Sequence, residues 1–131
     1  MMRRMRAVII DDMMPARERV IRYLAREPDI EIAGEAENGE EALTKLRAHR
    51  YGTVVLDLMM PIVSGFEVVR YLNSRDDAGK PCVIILSAAA ERDLKTVESP
   101  AIHAVIRKPF ELPALVAAVR ECSAHWEHAE Q

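Results

Sequence analysis

Three aspartates, a serine and a lysine stand at or just beyond the ends of short apolar runs. Asp11 and Asp12 follow Ala7-Val8-Ile9-Ile10, Asp57 follows Val54-Val55-Leu56, Ser87 follows Cys82-Val83-Ile84-Ile85-Leu86, and Lys108 lies just past Ala104-Val105-Ile106. If those ends meet, three carboxylates, a hydroxyl and an ammonium share one pocket. Carboxylates held a few ångströms apart repel one another and raise each other's pKa. A hard cation, Mg²⁺ or Mn²⁺, relieves that repulsion through oxygen ligands while keeping several waters. Such a cation and Lys108 together offer two positive groups to an incoming phosphoryl group, and Ser87 adds a hydrogen-bond donor. Asp57 is then placed as a carboxylate nucleophile. Phosphoryl transfer asks mainly for positioning and charge neutralisation, and this set supplies both. Taken singly, each residue has a plainer role: Asp12 or Ser87 as a helix cap, Asp57 as a loop residue, Lys108 as a solvated surface charge. Complementary chemistry at every one of these strand ends is what favours the shared pocket.

The elements that must position these residues alternate along the chain. The four apolar runs, rich in Val and Ile, fit strands covered on both faces. Ile30 to Ala36 alternates apolar and charged residues and fits a half-exposed edge strand. Between the strands lie helical patterns. One begins near Pro15, carries Val20, Ile21 and Leu24, and stops by Pro28. Asn38 is placed to cap a second, carrying Ala42, Leu43 and Leu46 and followed by Gly52. Glu37, Glu40 and Glu41 suit its acidic first turn. Ser64 is placed to cap a third, with Phe66, Val69 and Leu72. A fourth is expected over about Ala90 to Glu98, and a fifth bears the stripe Leu112, Leu115, Val116, Val119 and Cys122, with Trp126 anchoring its end. Five strand–helix repeats predict an α/β doubly wound fold, a five-stranded parallel sheet with helices on both faces. Ligands of such sheets sit beyond the carboxyl ends of the strands, where these five side chains stand.

Composition narrows the function classes. The 131 residues are half hydrophobic and 30% charged, with a net charge of −3, which fits one globular domain over residues 1–131, its core at about 5–122 and 123–131 as helix end or tail. The acidic balance argues against direct nucleic-acid binding. The few residues between Arg6 and Asp11 leave no room for a signal-peptide core, and no apolar run approaches the ~18 residues of a membrane span. Cys82 and Cys122, far apart in sequence, fit a reducing cytoplasm and are expected as thiols.

The segments Val8-Ile9-Ile10-Asp11-Asp12, Asp57-Leu58-Met59-Met60-Pro61-Ile62-Val63-Ser64-Gly65, Ile85-Leu86-Ser87-Ala88 and Lys108-Pro109-Phe110 come in the order and near the spacing of the receiver domains of bacterial two-component response regulators, and the whole chain resembles that family. The resemblance implies the flavodoxin-like (βα)₅ fold with strand order 2-1-3-4-5. It implies that Asp57 accepts a phosphoryl group from the phosphohistidine of a sensor histidine kinase or phosphotransfer protein. Asp12 and Asp57 would hold Mg²⁺ directly, with the Met59 backbone carbonyl as a further ligand and Asp11 acting through water. Ser87, Ala88 and Lys108 would form the phosphate-binding switch. Pro61 and Gly65 would shape the loop beyond the acceptor, and Lys108-Pro109 would be cis. Output through an unnamed protein target, or through a homodimer formed on phosphorylation, follows from the same resemblance. The stretch from Asp11 to Arg19 further resembles receivers joined to LytTR-type DNA-binding domains.

The chain also departs from the pattern. Val105 occupies the position where the family usually carries an aromatic that swings inward with the hydroxyl switch. Ala101-Ile102 replaces the usual Gly-Ala, Pro100 interrupts the approach, and the interval from Ser87 to Lys108 is one residue short. Met59 and Ala89, two residues beyond Asp57 and Ser87, cannot orient a water by hydrogen bonding, so an acyl phosphate is expected to hydrolyse slowly. The rival functions are a docking module that works without phosphorylation, an aspartate-nucleophile phosphatase, and a flavin or nucleotide binder. Met59 stands where the phosphatase would need a second aspartate, and Asp11-Asp12 would repel the phosphate of a nucleotide. Met13, Met14, Met59 and Met60 read as adaptable packing rather than soft-metal ligands, and His125 and His128 lack a third ligand.

Overall fold

The computed structural model describes residues 4–60, 63–75, 81–88 and 102–129. Its strands are β1 (Met5–Ile10), β2 (Ile30–Ala36), β3 (Thr53–Asp57), β4 (Cys82–Ser87) and β5 (Ile102–Arg107); its helices are α1 (Met14–Leu24), α2 (Gly39–Ala48), α3 (Gly65–Ser74) and α4 (Leu112–Ala129). The strands form one parallel sheet in the order β2-β1-β3-β4-β5, as expected. The helix expected over Ala90 to Glu98 lies outside the described residues, as do Pro61, Ala89 and Pro100.

Successive strand residues face opposite sides of the sheet, and each apolar run therefore feeds two cores. Val8, Ile10, Val54, Leu56, Val83 and Ile85 pack against Ala42 and Leu46 of α2 and Val68, Val69 and Leu72 of α3. Ala7, Ile9, Val55, Ile84 and Leu86 pack against Val20 and Leu24 of α1 and Leu115, Val116, Val119 and Cys122 of α4. The helix faces largely match the sequence reading: Val68 joins the buried face of α3 and Arg17 that of α1, while Phe66, Ile21, Leu43 and Leu112 are only partly covered.

The caps separate the expectations further. Asn38 caps α2, its side chain accepting a hydrogen bond from the Glu41 N–H at 2.7 Å. Ser64 occupies the N-cap of α3 without a side-chain hydrogen bond. At α1 the N-cap is Met13, so Asp12 is not spent as a cap and its carboxylate is available to the strand edge.

Two expectations are corrected. β5 is not covered on both faces: its residues alternate between half-buried and exposed, and Val105 is 41% exposed. The reason is position, because β5 is an edge of the sheet. The cysteines are not separate thiols: Cys82 and Cys122 form a disulfide with Cα atoms 5.8 Å apart. Cys82 opens β4 and Cys122 lies on the apolar stripe of α4, and packing α4 on β4 brings together residues 40 apart in sequence. No helix among the described residues is long and apolar enough to cross a membrane.

Because Leu56 sits in the middle strand with no exposed surface while Val105 lies on the open edge, the two positions should respond differently to truncation. Leu56→Ala is expected to cost about 2–5 kcal/mol and Val105→Ala within about 0.5 kcal/mol, read from urea unfolding midpoints at constant m.

Candidate functional site

The strand register delivers the chemistry to one edge. Ile10 lies beside Leu56, Asp57 beside Leu86, and Ser87 beside Arg107, so Asp11, Asp57, Ser87 and Lys108 emerge at the same carboxyl end of the sheet. Oxygens of Asp11, Asp12 and Asp57 lie within 4.8 Å of one another. Asp11 and Asp57 are buried and Asp12 is half-buried. The Lys108 ammonium lies 3.6 Å from Asp11 Oδ2 and 3.4 Å from Asp57 Oδ2, joining strand ends that are far apart in the chain.

Backbone groups hold the carboxylates in place. The Met59 N–H donates to Asp57 Oδ1 at 3.0 Å, and the Met13 N–H donates to Asp11 Oδ1 at 2.9 Å. Each aspartate thus closes a tight turn two residues on, a geometry suited to short acidic side chains. Burial pushes the Asp57 carboxyl above its ordinary value of 3.8; the Met59 N–H and Lys108 pull it down, and Asp11 pushes it up. Removal from water outweighs the two groups that favour the charged form.

Ser87 is fully buried, and its carbonyl accepts a hydrogen bond from the Lys108 N–H at 2.9 Å, tying the end of β4 to the lysine. Ala88 follows it exposed. Lys108-Pro109 is cis. Gly65 packs so closely on the β3 turn that an added Cβ would lie 2.5 Å from Leu58 Cα and 2.6 Å from the Asp57 carbonyl oxygen. Its N–H donates to the Leu58 carbonyl at 3.0 Å. Gly39 meets the same loop, where an added Cβ would lie 2.1 Å from the Val63 carbonyl oxygen. The starts of α2 and α3 therefore clamp the segment that follows Asp57. Val105 stands apart on β5, on the exposed edge.

Arg17 is the functional neighbour that sequence reasoning did not single out. Buried on α1, it donates from Nη1 to the Asp11 carbonyl at 2.7 Å and from Nε to Glu35 Oε1 at 3.1 Å. It thereby fixes the backbone beneath Asp11 against the end of β2. Its only sequence signal was an arginine on the apolar side of α1, one position beyond the Pro15-Ala16 start. Around the pocket, Met13, Met14 and Met59 are each 57% exposed. A cleft of about 210 Å³ opens from Asp11 and Lys108 between Ala16, Arg19 and Val20 on one side and Phe110 and Leu112 on the other.

A carboxylate triad, two of its members buried, with one ammonium at the carboxyl edge of a 2-1-3-4-5 sheet agrees with the comparison of the chain to known families, in which the model of the response regulator receiver domain matches residues 7–120. The chain belongs to the response regulator receiver domain family. It is 35% identical over 106 residues to the transcriptional regulatory protein BtsR of Salmonella typhi, covering 81% of this chain and 43% of that protein. It is 30% identical over 117 residues to a protein-glutamate methylesterase/protein-glutamine glutaminase of Desulfotalea psychrophila, covering 86% of this chain and 32% of that protein. The chain thus spans less than half the length of these two relatives. Among solved structures it is similar to the response regulator TrrA of Thermotoga maritima in complex with Mg(2+)-BeF, with a TM-score of 0.75, 30% identity, and coverage of 90% of this chain and 98% of that one. This receiver is a regulatory phosphoacceptor domain of two-component signal transduction.

The raised Asp57 pKa has a consequence for stability. The folded chain holds a proton at pH values where the unfolded chain has released it, so stability falls as pH rises from 3.8 to the raised value, and the penalty is complete above it. Asp57→Asn is therefore expected to melt higher than the parent at pH 7 in the absence of divalent cations. The difference should shrink as the pH is lowered toward 4, in thermal melts followed by circular dichroism. A variant no more stable than the parent at pH 7 would count against an uncompensated buried charge.

Proposed function

We propose that this receiver accepts a phosphoryl group on Asp57 from the phosphohistidine of a sensor histidine kinase or phosphotransfer protein, in a Mg²⁺-dependent reaction in the cytoplasm. The observation that supports this most directly is Lys108 lying 3.4 Å from the buried Asp57 carboxylate and 3.6 Å from Asp11. The P–N bond of the donor breaks as an Asp57 oxygen forms the new P–O bond, leaving an acyl phosphate on the chain and a neutral imidazole, after proton uptake, on the donor. Asp57 Oδ1 is held by the Met59 N–H, and Oδ2 is the oxygen nearer Lys108. Lys108 would gather the equatorial phosphoryl oxygens on that side, and Ser87 and Ala88 at the end of β4 would close on the group from the other.

The donor set fits a hard cation: three carboxylates with oxygens within 4.8 Å of one another and no softer ligand among them. Asp12 and Asp57 would hold Mg²⁺ or Mn²⁺ directly, with the Met59 carbonyl as a further ligand and Asp11 through water. When bound, such an ion neutralises charge on the transferring phosphoryl group. Pro61, Gly65 and Pro109 would shape the surrounding loops. The cleft between α1 and the start of α4, and the exposed Met13, Met14 and Met59, offer adaptable apolar contact to the donor protein beside the acceptor.

Asp57 would be a regulatory acceptor rather than the nucleophile of a turnover enzyme, since Met59 supplies no carboxylate to activate water. The switch would run through the Ser87–Lys108 backbone link, because Val105 carries no ring to swing inward. Its output would be a protein contact, which includes a homodimer formed on phosphorylation.

Incubation with Mg²⁺ and acetyl phosphate or phosphoramidate is expected to add one phosphoryl group by intact mass, and none to Asp57→Asn or in excess chelator. No gain with either small donor or with a histidine-phosphorylated donor protein would favour a docking module that acts without phosphorylation. The acyl phosphate is expected to be long-lived, and Met59→Glu or Met59→Asn to shorten its lifetime several-fold, followed by loss of the phosphoryl mass after donor removal. Unchanged decay would show that the side chain at 59 does not govern water.

A further inference from the structure

The opposite end of the same sheet carries a second cluster of ligand-type side chains, with different chemistry. Cys82 at the start of β4, Cys122 on α4 and His103 on β5 bring their sulfur and ring-nitrogen atoms within 4.8 Å of one another. The strand register explains how His103 reaches this place. Val83 pairs with Ile102, but Ile84 pairs with Ala104, so His103 is the extra residue of an irregularity in the β4–β5 ladder. Ile102 packs with the core on the α2–α3 side, whereas Ala104 and Ile106 pack with the core on the α1–α4 side. The phase of the strand flips at His103, and such irregularities re-aim side chains. Here the ring is turned to α4, where Nε2 lies 2.7 Å from Glu121 Oε2. Glu121 immediately precedes Cys122, so one turn of α4 supplies both the sulfur and the carboxylate that orients the imidazole.

We propose that Cys82, Cys122 and His103 form a thiol-gated site for a borderline-soft divalent cation of the Zn²⁺ class, closed while the cysteines are joined as a disulfide and open when they are reduced. Two thiolates and an imidazole are the donors that Zn²⁺ selects and Mg²⁺ does not. With Zn–S near 2.3 Å, tetrahedral geometry places two sulfurs roughly 3.8 Å apart, about the separation of two non-bonded sulfurs on a disulfide that has opened. Side-chain rotation supplies that movement with the Cα atoms still 5.8 Å apart. Glu121 would hold Nε2 and leave Nδ1 for the ion, the carboxylate–histidine arrangement common behind metal-bound imidazoles. Cys122 is fully buried, while Cys82 is half-buried and the His103 side chain is 30% exposed, so the ion enters from the β5 side. Water fills the fourth position.

A dithiol reductant donates two electrons and two protons to the disulfide and is itself oxidised to a disulfide, giving two thiols in the chain. Binding of the cation then releases the two thiol protons. Hydrogen peroxide closes the site by oxidising the thiols back to the disulfide, with two waters formed. Ser87, at the far end of β4, belongs to the carboxylate pocket, so the two sites occupy opposite edges of the sheet and differ in donor hardness.

The test uses the full chain, reduced with a phosphine and freed of it, and titrated with Co²⁺ as a spectroscopic probe and then with Zn²⁺. Reduced protein is expected to develop a cobalt–thiolate charge-transfer band that saturates at one ion per chain and is abolished by one equivalent of Zn²⁺. Co²⁺ held by the carboxylate pocket gives no thiolate band, which keeps the two sites apart in the readout. Oxidised protein is expected to show no band. His103→Ala, which keeps both thiols, should weaken Co²⁺ binding more than Glu121→Gln, for which about a tenfold loss is expected. Absence of the band in the reduced parent, or a band equally strong and equally tight in His103→Ala, would overturn the proposal and leave the cysteines as a structural crosslink.

Discussion

The site depends on an electrostatic constraint: Asp11 and Asp57 are carboxylates removed from water at adjacent strand ends, and they share one ammonium. Burial disfavours the charged form of Asp57, and the neighbouring Asp11 carboxylate adds to the penalty. The Met59 N–H and Lys108 offset part of this. The remainder is seen in the raised pKa of Asp57. A pocket left in this state favours any ligand that brings positive charge, and a cation together with the lysine favours an anionic group in turn. The chemistry proposed for the domain follows from that incomplete neutralisation.

Holding the charges there requires a platform that does not relax. The sheet is packed on both sides by separate cores, each fed by alternate residues of β1, β3 and β4. Gly39 and Gly65 let α2 and α3 approach the segment after Asp57 more closely than any side chain would permit. Arg17 ties the Asp11 backbone to β2. Rotation of the aspartates away from one another would break contacts in several elements at once.

The two edges of the sheet carry chemistry of opposite character. Hard oxygen donors gather at the carboxyl ends of the strands, and sulfur and imidazole gather at the start of β4 and β5. Both arise from the same register, since parallel strands bring all their ends together at two edges only. The TrrA receiver shares this fold across 90% of the chain at 30% identity. Val105, exposed at the edge, is less constrained by packing than the residues beneath the pocket.

The sequence by itself determined the alternation of elements, the helix faces, the Asn38 cap and the five residues at the strand ends. These are local signals: apolar periodicity, turn chemistry and residue type. Strand order and the residue roles came from resemblance to a family, because no periodicity says which strand lies beside which. The tertiary structure decided what depends on distance between remote segments. It showed β5 as an edge, and so Val105 as exposed. It placed buried Arg17 under Asp11, and it joined Cys82 to Cys122 and turned His103 toward them. A residue's burial and partners are properties of the packed chain, and elements 40 residues apart exchange no signal along the sequence before the core brings them into contact.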